Sequence, residues 1–168
     1  MSTSPMAEPV KRPSRTLRPD TLGWLAAHNP LTVLGWTDPV IDVLGHDPRS
    51  DYVETYWLPI LGPSCTVAAR RIAEWLDASP AGFELPLGPF SRSLGLGEGT
   101  GRQAPVIRTL GRLVDFGMAR PGGSVFAVRR RFPPLATRHI ERLPGHLAEQ
   151  HAALNAALLA APAGGALR

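Results

Sequence analysis

Residues 87–131 read LGPFSRSLGLGEGTGRQAPVIRTLGRLVDFGMARPGGSVFAVRRR, and the fold turns on how this run divides. Leu87, Phe90, Ser91 and Leu94 fall on one face of a two-turn helix. Four glycines from Gly95 to Gly101 then predict a turn. Beyond it Val106, Ile107, Leu110, Leu113 and Val114 recur at helical spacing and form the apolar face of a longer helix. Its start carries two competing signals: Thr100 and Gln103 have capping-box spacing, whereas Pro105 favours the first helical turn. Gly117 stands where a helix C-terminal glycine belongs. Met118 to Arg120, Pro121 to Ser124 and Val125 to Arg129 read as strand, tight turn and strand, a β-hairpin closed by Pro133-Pro134.

Upstream, Val67, Ala68, Arg71, Ile72, Trp75 and Leu76 give a 3.6-residue stripe behind Ser64 as a cap, with Ser79-Pro80 as the stop. Phe83 to Leu87 alternates and contains Pro86, which suits a short edge strand or an extended connector. Tyr52, Val53, Tyr56, Trp57 and Ile60 predict a short helix ended by Pro59 and Gly62-Pro63. Residues 21–50 are interrupted by Pro30, Pro39, Pro48, Gly23, Gly35 and Gly45. They predict an irregular acidic segment with one strand at Leu31–Trp36 and a loop or single helical turn after it. Residues 1–20 predict a disordered basic arm. Downstream, 134–160 predicts two helices, the second with a Leu147, His151, Leu154, Leu158 stripe suited to a strut on the domain or to homodimerisation through 147–158. Residues 161–168 predict a disordered tail. The expected fold is mostly α with a small β-hairpin, an α+β domain over 51–133.

Charge is unevenly placed along the 168 residues, whose net charge is +4. Residues 20–62 carry six acids against Arg49 alone. Between 102 and 131, Arg102, Arg108, Arg112, Arg120, Arg129, Arg130 and Arg131 face only Asp115. All but one of the 18 basic residues are Arg, as in a GC-rich genome, but codon bias scatters arginines rather than clustering them. No stretch of 18 consecutive apolar residues exists and the first 20 residues lack an apolar signal core, so a cytoplasmic location without membrane contact is expected. The single Cys65 excludes an internal disulfide and a cysteine-based metal cluster.

Catalytic chemistry is weakly represented. Gly99 to Ala104 matches a dinucleotide-binding glycine pattern only formally, since it follows a helix and no acid lies about twenty positions on. Asp42 with His46, and Asp47 with Asp51, have four-residue spacing, but Gly45 and Pro48 break any helix that would align them. No cofactor, no metal and no enzymatic activity are expected.

The succession over 64–131 resembles a winged helix-turn-helix domain. Tyr56 to Ser64, Leu94-Gly95-Leu96-Gly97, Gly99-Thr100-Gly101-Arg102 and Ala127 to Arg131 also look like a group of actinobacterial winged-helix proteins. The long glycine-rich turn departs from the simplest pattern. The resemblance implies double-stranded DNA binding by a bacterial, nucleoid-associated transcriptional regulator, with the longer helix in the major groove and the hairpin as a wing. Arg108 and Arg112, one turn apart on the outer face, then read guanine, and Gln103 reads adenine. Thr100 and Arg102 lie at the phosphate-facing turn, and Arg120, Arg129, Arg130 and Arg131 neutralise backbone charge. The alternative is a protein-docking module on the same scaffold, with 20–62, which holds Trp24, Trp36 and the acids, as the contact surface.

Overall fold

The structure, a computed structural model, describes residues 20–161. The predicted basic arm, apart from Asp20, and the tail, apart from Ala161, lie outside them. In chain order the elements are α1 (Thr21–Ala27), β1 (Leu31–Trp36), α2 (Ile41–Leu44), a π-helical turn (Val53–Trp57) continuing into α3 (Leu58–Leu61), α4 (Pro63–Ala78), β2 (Phe83–Leu85), α5 (Leu87–Ser93), α6 (Pro105–Asp115), β3 (Ala119–Gly122), β4 (Val125–Arg129), α7 (Thr137–Ile140) and α8 (Gly145–Ala160). The architecture is mixed α and β. The helices accompany a four-stranded sheet of order β2-β1-β4-β3, and α1 and α6 contact its β3 edge.

The expected lone hairpin is therefore part of a larger sheet. β1 pairs antiparallel with β2 (Leu31 opposite Leu85) and parallel with β4 (Val33 opposite Phe126). The irregular segment expected over 21–50 is corrected over its first half. α1 and β1 belong to the core, with Leu25, Leu31 and Val33 fully buried. Elements of six or seven residues separated by proline are too short for a periodicity to stand out, so only burial reveals their place.

Local chemistry explains the boundaries. α4 begins with Pro63 at its first turn, where a missing N–H costs nothing, and Ser64 makes no capping bond; the Thr66 hydroxyl instead donates to the Gly62 carbonyl at 2.9 Å. α5 starts where the Asn29 side-chain oxygen accepts from the Leu87 N–H at 3.0 Å, so the α1–β1 connection caps a helix 58 residues away. α6 ends in a Schellman motif: Gly117, at φ +72°, donates to the Val114 carbonyl and Met118 to the Leu113 carbonyl. Gly123, at φ +60°, is the first residue of the two-residue hairpin loop, as a type II′ turn requires.

α8 packs on its own domain. Leu147, Ala148 and Leu154 lie against the core and His151 is buried, while only Leu158 of the predicted stripe is exposed. Three of the four stripe residues thus pack against the domain, and Leu158 stays exposed. His151 Nε2 bonds the Tyr52 hydroxyl at 2.8 Å, and that hydroxyl accepts the Leu135 N–H at 2.9 Å. His46 stacks on Tyr52 with centroids 3.6 Å apart, and His139 lies buried beside Trp57.

Burial holds the pKa of His46, His139 and His151 below the ordinary histidine range; Arg131 adds to the effect at His46, and Arg138 and Arg142 at His139. Each group binds fewer protons folded than unfolded. Its stabilising effect is complete above the unfolded value of about 6.5 and is lost as pH falls below it. Unfolding free energies from urea titrations are expected to drop between pH 7 and 5, by up to about 1.4 kcal/mol per pH unit for each such histidine. Unchanged free energies over this range would contradict the lowered pKa of these histidines.

Candidate nucleic-acid interface

α6 buries Val106, Ile107, Leu110 and Leu113 and leaves Arg108, Arg112 and Asp115 exposed on its outer face. Neither capping-box residue caps it; Pro105 takes the first turn behind Ala104, while Gln103 lies exposed and Thr100 half-buried in the turn. The Gln103 carbonyl accepts from Arg108 Nε at 3.2 Å. This steadies the Arg108 stem and leaves its two terminal nitrogens without a carboxylate partner among the described residues.

Arg112 is partly committed. Its Nε and Nη2 donate to the Leu61 and Ile60 carbonyls, each at 2.7 Å, and so satisfy the C-terminal end of α3. Its guanidinium also stands 5.0 Å from the centroid of the Phe116 ring. α1 crosses α6 at Gly111, where a Cβ would come within 2.6 Å of Leu22 Cδ2. This brings Asp20 into a salt bridge with Arg102. The Asp20 carboxylate also accepts the Gly23 N–H at 3.0 Å, and these contacts hold its pKa below the usual range, the Gly23 bond contributing most.

The hairpin arginines form a separate group held by the fold. Parallel pairing of β1 with β4 sets Trp36 beside Arg129, and Arg120 and Arg129 lie 4.3 and 3.8 Å from the Trp36 ring centroid. Arg129 Nη1 bonds Asp38 at 2.7 Å, with the two side chains 15% and 25% exposed, and Nε donates to the Gly117 carbonyl. Arg129 is the main cause of the lowered Asp38 pKa. Arg130 Nη2 donates to the Leu76 carbonyl at 2.9 Å, and Arg131 Nη1 to the Gly45 carbonyl at 3.0 Å. Of the predicted site residues, Arg102, Arg108 and Arg112 line one cleft, while Arg129, Arg130 and Arg131 tie β4 and the residues after it to Asp38, the C-terminal end of α4 and the end of α2.

No protein-family model, curated protein or solved structure matches this chain. Its own geometry therefore bears the functional question.

Two cations that the sequence reading did not include stand next to α6. Arg138 and Arg142 line a cleft with Asp115, Phe116 and His139, and Arg142 lies 6.0 Å from the centroid of the Phe116 ring that Arg112 also approaches. Phe116 thus stands beside both Arg112 of α6 and Arg142 just after α7. The i, i+4 spacing of Arg138 and Arg142 was the available signal. Among the described residues no group of three or more His, Cys, Asp or Glu is placed to hold a metal ion, and no helix is long and apolar enough to cross a membrane. Cys65 is buried, its thiol donating to the Thr109 carbonyl, and burial pushes its pKa up to about 11, the opposite of an activated thiolate.

Proposed function

We propose that the protein binds double-stranded DNA through the outer face of α6, as a winged-helix protein with a regulatory role in bacterial transcription. The observation that carries this is the exposure of Arg108 and Arg112 on the last helix of a helix–strand–helix–helix–hairpin succession, with Arg142 and Arg138 lining the cleft next to its end. Arg108 keeps both terminal nitrogens for a bidentate contact with guanine O6 and N7 or with phosphate. The hairpin contributes less than the arginine count suggests, because Arg129 already spends its charge on Asp38.

Anisotropy titration of duplex DNA at several salt concentrations tests the proposal. The log-log salt slope is expected to flatten by about 0.9 for each of Arg108→Ala and Arg142→Ala, while Arg129→Ala leaves the slope nearly unchanged and lowers stability. Duplex affinity that is negligible even at low salt would refute it.

Docking of a protein partner is the second reading, favoured by a different observation. Val40, Val43 and Leu44, around α2, are 61%, 77% and 63% exposed, three large apolar side chains together within the acidic segment. A partner whose binding survives Arg108→Ala but is lost on Val43→Asp would favour docking.

A further inference from the structure

The exposed face of α6 forms one wall of a cleft of about 570 Å³, closed on the other side by the start of α1. Arg102, Arg108 and Arg112 line it together with Asp20 and Asp115, so three guanidiniums face two carboxylates. The three cations differ in what they have left to give. Arg108 retains both terminal nitrogens, and Arg112 keeps Nη1 after satisfying the α3 carbonyls. Arg102 is held by Asp20, but this pair is about half exposed on both sides, and such ion pairs exchange partners readily in water.

We propose that this cleft holds a phosphodiester group, with Arg102 passing from Asp20 to the incoming phosphate. The cleft has one net positive charge, which a diester with a single negative charge neutralises and a more highly charged free phosphate overshoots. Guanidinium forks match the paired oxygens of phosphate, so Arg102 and Arg108, which line the same cleft, both engage it. Asp20 acts as an internal competitor, kept in place because its other oxygen caps α1 at Gly23. This deepens the duplex-binding proposal by naming the group of the duplex that the cleft takes, and it rests on that proposal.

The test follows arginine Nε–H and Gly23 amide resonances of the full chain during titration with dimethyl phosphate, inorganic pyrophosphate or a short DNA duplex. Dimethyl phosphate and duplex are expected to shift Arg102, Arg108 and Gly23, and Arg108→Ala to remove these shifts. Asp20→Asn keeps a side chain that caps α1 equally well, and it is expected to tighten duplex binding about fivefold at low ionic strength, less as salt rises. Pyrophosphate acting at lower concentration than dimethyl phosphate would overturn the diester assignment. Duplex binding that spares Arg102 and Gly23 and ignores Asp20→Asn would overturn the cleft proposal and leave DNA binding standing. A response to dimethyl phosphate without duplex binding would support the cleft as a diester site and remove the duplex function.

Discussion

A chain that begins at Asp51 is expected not to fold, although every element of the helix–strand–helix–helix–hairpin succession lies downstream of that point. The truncation removes β1, which is an inner strand of the sheet, so β2 and β4 lose their shared partner. It also removes Leu25, Leu31 and Val33, all without solvent contact, and strips the Asn29 cap from α5. Burying one such side chain stabilises by about 1.5–3 kcal/mol, and the three together approach the whole stability of a domain of this size. Near-UV circular dichroism and amide shift dispersion of the fragment check this. A cooperative thermal transition there would show that β1 is an accessory strand. Val33→Asp in the full chain is the finer version, since it sets an unpaired carboxylate against Phe126 in the sheet's interior.

Trp57→Ala is expected to cost about 3–5 kcal/mol, the upper range for loss of a single core side chain. Trp57 closes the π-helical turn, is buried, and meets the rings of Phe132 at 5.8 Å and His139 at 5.3 Å. Its indole N–H donates to the Pro133 carbonyl at 2.9 Å, pinning the chain as it leaves the hairpin. Trp57→Phe separates the two contributions: it keeps most of the apolar contact and strands the Pro133 carbonyl, for a loss of about 1–3 kcal/mol. Urea denaturation of the two variants measures both, and an alanine variant losing less than the phenylalanine variant would refute the assignment.

The arginine cluster shows why a site is harder to read than a fold. Arg108 and Arg129 are the same residue type within one basic run, and nothing local distinguishes them. Their fates differ because of partners distant in sequence. Arg129 meets Trp36 and Asp38, brought by β1, whereas Arg108 bonds the Gln103 carbonyl and no carboxylate among the described residues. Asp20 reaches Arg102 across 82 residues for a similar reason, the crossing of α1 over α6 at Gly111. The acids of 20–62 and the arginines of 102–131 are separate runs in the chain, yet they meet at Asp20 with Arg102 and at Asp38 with Arg129.

What the sequence determined by itself is the local structure: the strand at Leu31–Trp36, the stripe of α4, the end of α6 at Gly117 and the hairpin after it. Those are set by side-chain periodicity and by backbone preferences of glycine and proline, which act over a few residues. The tertiary structure alone decided that β1 lies inside the sheet, that α8 uses its stripe at home, and which guanidiniums remain for a ligand. Burial and charge pairing depend on neighbours tens of residues away, and a linear pattern carries no record of which of them will meet.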